Sequence, residues 1–415
     1  MGPLKHRNFR LLWTGWILGA TGSWVQQVAT MWLILELTNS PLMLGVSGIF
    51  MSVPFLITSL WGGALADRMD RLKLLQITQA MATVLAVVPG VLAALGVIQV
   101  WHIYALSFLS WTVSAFDGPA RQAIVPSLVP RSDLMSAIAL TSVVRRSTAL
   151  VGPMIGGFAI TLVGISGAFF VSAGFDAAVL LTLLIMRSLP AQPEERQVPM
   201  GQAILDGFKV IRSNPVIFGI LSMEAVNTFL VTYQQLMPVF ARDILRVGPT
   251  GFGFLYASPG VGALVGSALL LLMGDVKRKG LLFVTTVLIQ PVTIMLFALS
   301  PWMVTSMLML ALSGVLDVIG GTVRNAMLQL STRDHMRGRV MGMNMMVHRG
   351  LGPLSGLQAG AVATFAGAPF AVAAGSALFI VYAVFLIFRV PELRRYEEEE
   401  TPKVISLAEQ DQSES

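Results

Sequence analysis

Gly62-Gly63-Ala64-Leu65-Ala66-Asp67-Arg68-Met69-Asp70-Arg71-Leu72-Lys73 crowds five charged residues into positions 67–73, directly after a small, apolar run. Apolar segments of membrane length, 43–66 and 74–95, flank it on both sides. A spanning helix takes about 20 apolar residues, so the charged stretch reads as a tight turn between two crossings. Charge held that close to hydrocarbon is costly unless it serves a purpose. The stretch is therefore read as a gate at one face of a membrane.

The rest of the chain agrees with a membrane setting. Of 415 residues, 55% are hydrophobic and 12% charged, with a mean hydropathy of +0.74. A soluble domain carries about 25% charged residues. Twelve segments are apolar enough to span: 11–37, 43–66, 74–95, 101–121, 138–163, 165–187, 214–241, 250–273, 280–299, 302–327, 340–365 and 368–388. They predict an all-α membrane protein with an N-terminal six-helix bundle (1–187), a polar, proline-broken linker (188–213) and a C-terminal six-helix bundle (214–390). The charged remainder, 391–415, is expected to be a disordered tail, because it has too few apolar residues to build a core.

Placing both termini in the cytoplasm puts 21 of the 28 Lys and Arg residues in cytoplasmic segments, 2 in external loops and 5 inside helices. That is the positive-inside distribution. The net charge of +6 thus reflects topology and contact with anionic lipid, and nucleic acid is not needed to explain it. The chain has no cysteine, which excludes disulfides and thiolate chemistry. Its four histidines show no metal-ligand spacing. No Gly-x-x-x-x-Gly-Lys-Ser/Thr motif is present to cradle ATP phosphates. Neither an enzyme nor a cofactor is expected.

The two sixes repeat each other. At an offset of 208, Gln26-Gln27 falls on Gln234-Gln235, Pro41 on Pro249, Gly45 on Gly253 and Asp67 on Asp275. At 203, Arg121 falls on Arg324 and Arg146 on Arg349. Parallel repeats of six helices related about the membrane normal are one architecture of secondary transporters.

With these residues the chain resembles the major facilitator superfamily. Its loop signature, Gly-x-Leu-Ala-Asp-Arg-x-Gly-Arg-Lys, compares with Gly63 through Lys73 and departs at Asp70, where the signature has Gly. Gly152-Pro153-Met154-Ile155-Gly156-Gly157 resembles the Gly-Pro-x-x-Gly-Gly motif of proton-coupled exporters. Phe9-Arg10-Leu11-Leu12-Trp13, Gly118 through Pro126 and Arg337-Gly338-Arg339-Val340-Met341 resemble the bacterial efflux branch of enterobactin exporters and macrolide efflux proteins. The resemblance implies a fold of two pseudo-symmetric bundles in the bacterial inner membrane. It also implies a central cavity lined by the first, fourth, seventh and tenth segments, with the third, sixth, ninth and twelfth outside. A monomer is expected.

Candidate residues follow by place. Gly63, Asp67, Arg68, Arg71 and Asp275 form the gating loop. Its Asp67, by resemblance, faces the start of the eleventh helix, whose dipole favours an anion. Asp117 and Arg121 lie four apart and can pair on one helix face; with Arg324 they are expected to extend the gate. Glu224 and Asp317 are ionisable groups deep in the seventh and tenth segments and are the candidates for proton coupling. Trp24, Gln26, Gln27, Asn227, Tyr233, Gln234, Arg146 and Arg349 are the cavity candidates, with Trp32 and Phe229 as further apolar wall. Gly152, Pro153, Gly156 and Gly157 allow close helix packing. Few polar groups among apolar walls suit an amphiphilic small molecule of the drug or siderophore class better than a sugar. The leading reading is proton-coupled export. Facilitated movement without coupling, or a lipid or lysolipid flippase on the same fold, stay open. A sensor or passive pore fits a duplicated bundle least.

Overall fold

The computed structural model describes residues 2–66, 70–186, 214–274, 276, 278–332 and 336–396. Every regular element among them is helical. The first half holds α1 (Arg7–Thr38), α2 (Pro41–Ala66), α3 (Arg71–Ala94), α4 (Val100–Leu128) and α5 (Arg131–Ile185). The second holds α6 (Pro215–Leu230), α7 (Gly248–Met273), α8 (Lys279–Leu299), α9 (Met303–Leu330), α10 (Arg337–Met346), α11 (Gly352–Ala366) and α12 (Ala368–Arg389). Seven helical stretches among the described residues are long and apolar enough to cross a membrane. α1, α2, α4, α10 and α11 fall outside those seven, and of these α1 and α4 carry polar or charged groups inward, among them Gln27, Asp117 and Arg121. The linker 188–213, Asp67, Arg68, Asp275, the tail 397–415 and the side chain of Arg349 lie outside the described residues.

Local chemistry sets the breaks. α5 runs through the predicted gap between segments five and six, and Gly164 divides it, with φ 75° and ψ 177°. Gly367 makes the corresponding break between α11 and α12 at φ 87°, and the two glycines are related by the 203 offset. A side chain at either position would be strained in the left-handed region. The segment predicted as one helix over 214–241 stops at Leu230 and resumes in short turns from Gln234. Pro238 stands in the first turn of the resumed helix, where its missing N–H costs no helical bond. A π-helical turn, Val347–Leu351, joins α10 to α11 just before Gly352-Pro353.

Asp70 explains its own departure from the loop signature. Its carboxylate accepts from the backbone N–H of Leu72 at 2.8 Å and of Lys73 at 3.2 Å, capping α3. Asp70→Ala is expected to cost about 1 kcal/mol of stability and Asp70→Asn almost nothing, as read by chemical unfolding in detergent. The predicted tail starts too early: Glu392–Arg395 is helical. Leu393 is fully buried, packed over Gly219, and the Tyr396 carbonyl accepts from Gly280 N–H at 2.9 Å.

The halves meet through glycine. A Cβ on Gly157 of α5 would strike the carbonyl of Pro249, and one on Gly253 of α7 that of Pro153. Across the molecule, a Cβ on Gly360 of α11 would strike the carbonyl of Pro41, and one on Gly45 of α2 that of Gly356. The offsets of 208 and 203 convert the first pair of contacts into the second, residue by residue. One core spans both halves here, with Ile34, Leu44, Phe169, Phe240, Phe252 and Phe379. Arg242 donates to the Leu35 carbonyl at 3.1 Å, and the Thr161 and Thr250 hydroxyls meet at 2.8 Å. At the opposite end the halves have separate cores, one around Phe9, Leu75 and Leu183 and the other around Ile217, Phe283 and Leu393. Among the described residues the halves thus share one core away from the termini and keep separate cores near them.

Candidate functional site

Between the halves lies a cavity of about 540 Å³, within the range of about 300–1,000 Å³ common for small-molecule sites. α1 gives it Trp24, Gln27 and Met31, and the broken stretch after α6 gives Tyr233, Gln234 and Gln235. α2, α4, α5, α7, α8, α9 and α11 also contribute. Irregular backbone at membrane depth is tolerated where it lines a cavity, and here the break turns three polar side chains inward.

Trp24, Gln27, Asn227, Tyr233, Gln234 and Asp317 line the cavity. Gln27 Nε2 donates to the Tyr256 hydroxyl at 3.0 Å, and Trp24 meets that ring edge-on with centroids 5.7 Å apart. Two of the cavity candidates do not line it. Gln26 points elsewhere, because one residue of helix turns a side chain by about 100°. Arg146 instead donates to Ser267, bridging α5 and α7. Nor do Trp32 and Phe229 form wall: Trp32 is buried and stacked on Phe252. The ninth segment, expected outside, brings Gln290 and Ile294 to the lining. Trp111, Gln235, Tyr256, Gln290 and His348 were missed as candidates. Gln235 was within reach, since it is the repeat partner of Gln27. His348, an ionisable residue in a membrane-length segment, carried the signal that marks functional groups there.

The expected gate network separates into two clusters. In the first half, Arg121 Nε pairs with Asp117 at 2.5 Å and its NH2 donates to Gln79 Oε1 at 2.7 Å. Gln79 Nε2 donates onward to Asp176 at 3.2 Å, and Thr78 to Asp117 at 3.3 Å. All of these lie on α3, α4 and α5. Arg324 does not join them. Its partner is Glu224, from α6, and not an acid on its own helix. His348 Nε2 lies 2.8 Å from the other Glu224 oxygen and 3.0 Å from Arg324 NH2. The Glu224 and Arg324 side chains are 7% and 12% exposed. One coupling candidate and one gate candidate therefore form a single buried ion cluster beside the cavity. Such a pair is costly to leave half-matched, so its protonation and its geometry are tied together.

Gly152 lets the α5 backbone lie against Trp24, and Gly156 lets it lie against Val28. The Gly152-Pro153-Gly156-Gly157 motif thus packs α5 on α1 with one face and on α7 with another. Gly63 sits in the last turn of α2 and Arg71 opens α3.

A profile of the family described as transmembrane secretion effector matches residues 1–411. The enterobactin exporter EntS of Shigella boydii serotype 18 is 28% identical over 409 residues, covering 97% of this chain and 96% of that one. EntS of Escherichia coli O81 matches with the same identity and coverage. Among solved structures, a peptide transporter POT in complex with sulfate aligns at TM-score 0.73 and 11% identity, over 95% of this chain and 96% of its own. A bacterial homologue of the human lysosomal transporter Spinster, inward-facing and unoccupied, aligns at 0.69 and 14% identity, over 95% and 99%.

Proposed function

The chain belongs to the transmembrane secretion effector family of major facilitator transporters, and we propose that it is a proton-coupled exporter of a small amphiphilic molecule working by alternating access. The observation that carries this reading is one cavity built by both halves. The halves are joined over it by symmetric glycine crossings at one end and keep separate cores at the other, with a buried ion cluster in the wall between. A rocking motion about such a cavity exposes it to each side in turn. The relatives named as enterobactin exporters support outward transport and keep siderophores among the substrate classes.

On this reading the chain crosses the bacterial inner membrane twelve times in two six-helix bundles, with both termini and the 188–213 linker in the cytoplasm. The end with separate cores, near the termini, then faces inward. Gly63, Asp67, Arg68, Arg71 and Asp275 close that end when the cavity faces out. Glu224, linked to Arg324 and His348, is the first candidate to couple the proton to this motion. Cysteine introduced at Ser40 in the cysteine-free chain is expected to react with an impermeant maleimide in intact cells, and cysteine at Gln197 is not. Labelling at Gln197 overturns the orientation.

The decisive experiment is transport in proteoliposomes. An imposed pH gradient is expected to drive fluorescent amphiphiles against their own gradient, and a protonophore to abolish this. Downhill movement unaffected by the protonophore means facilitated transport instead.

A further inference from the structure

We propose that the cavity binds a lipophilic cation, with the Asp317 carboxylate as its counter-charge and aromatic side chains as its walls. The proposal rests on reading this cavity as the substrate site, and it narrows the substrate from any amphiphile to one carrying a positive charge.

Three other described acids inside the helices already have partners. Glu224 is held by Arg324 and His348, Asp117 by Arg121, and Asp176 accepts from Gln79. Asp317 differs: among the described residues no cation lies within ion-pair distance of it, and its side chain is exposed to the cavity it lines. Arg324 stands two turns further along α9, but its guanidinium is directed to Glu224 and His348. An unpaired carboxylate at membrane depth is costly unless water or a counter-ion meets it.

The lining is built to accept that counter-ion. Among the described lining residues there is no Lys or Arg, Asp317 is the one carboxylate, and the one histidine, His348, lies against the Glu224 carboxylate. Trp24, Trp111, Tyr233 and Tyr256 bring four aromatic side chains to the walls, and aromatic faces attract cations within about 6 Å of the ring centre. The amide oxygens of Gln234, Gln235 and Gln290 add acceptors. An anion of the same size meets Asp317 as a like charge in a low-dielectric space, where repulsion is strong.

Tetraphenylphosphonium and tetraphenylborate have the same shape and opposite charge, so they isolate the sign of the ligand. Equilibrium dialysis with purified protein is expected to show saturable tetraphenylphosphonium binding, with Asp317→Asn weakening it by about tenfold or more and Asp317→Glu retaining part of it. Tetraphenylborate is expected not to saturate. Unchanged phosphonium affinity in a folded Asp317→Asn, or borate binding as tight as phosphonium in the wild type, overturns the proposal. If Asp317→Asn does not fold, the wild-type comparison of the two ions decides. The two readings fail separately. A neutral amphiphile exported under a pH gradient by protein that does not bind phosphonium removes the cation site and leaves the transporter. Asp317-dependent phosphonium binding without gradient-driven movement of any compound does the reverse.

Discussion

Glu224→Gln will abolish gradient-driven export while leaving substrate binding measurable, and the loss will not be rescued by steepening the gradient. The carboxylate is the centre of its cluster, with one oxygen facing Arg324 and the other His348. An amide keeps the shape but cannot gain or lose the proton that the proposed cycle moves. Its substitution also leaves the Arg324 charge uncompensated in a buried place, at a cost of about 3–5 kcal/mol. Some loss of folded protein is therefore expected from the single variant. Glu224→Gln with Arg324→Gln removes both charges together and is expected to restore thermal stability toward wild type without restoring coupled transport. Export by either variant at the wild-type rate under a proton gradient moves the coupling site elsewhere, with Asp317 next.

Gly48→Ala will open the end away from the termini, where the halves share one core. A methyl at Gly48 would meet the carbonyl of Pro353 in α11, and backbone carbonyls cannot swing aside as side chains do. Overpacking of this kind costs about 1–3 kcal/mol, which shifts a two-state balance by roughly 5- to 150-fold. The cost falls on the state in which α2 and α11 touch, so the population moves toward the state in which they part. Spin labels at Ser40 and Ala366, which lie outside the core on the two halves, are expected to show a longer distance distribution than in wild type, and turnover is expected to fall. Gly118→Ala is the control, because nothing lies within 4 Å of a Cβ there. An unchanged distance distribution in Gly48→Ala would show that this crossing does not set the conformational balance.

Much of this architecture was legible in the chain. The all-helical character followed from apolar length, because a helix in lipid satisfies its own backbone and is therefore continuous in sequence. The repeat is legible too: the offset of 208 alone relates Gly45 to Gly253 and Pro41 to Pro249. In the structure these residues mark equivalent helix crossings. Glycine and proline are readable in this way because their effect is on their own backbone.

What the sequence left open was which side chains meet and which face of each helix looks inward. Gln26 and Gln27 are adjacent and chemically identical, yet only Gln27 reaches the cavity, since helix rotation and not residue type decides. Glu224, Arg324 and His348 come from three separate helical stretches. Arg324 was grouped with Asp117 and Arg121 on the strength of its repeat position, whereas packing of α6 against α9 gave it Glu224. The reason is physical: local sequence fixes backbone hydrogen bonding and apolar length, while the pairing of buried charges depends on how whole helices pack, and only the tertiary structure carries that.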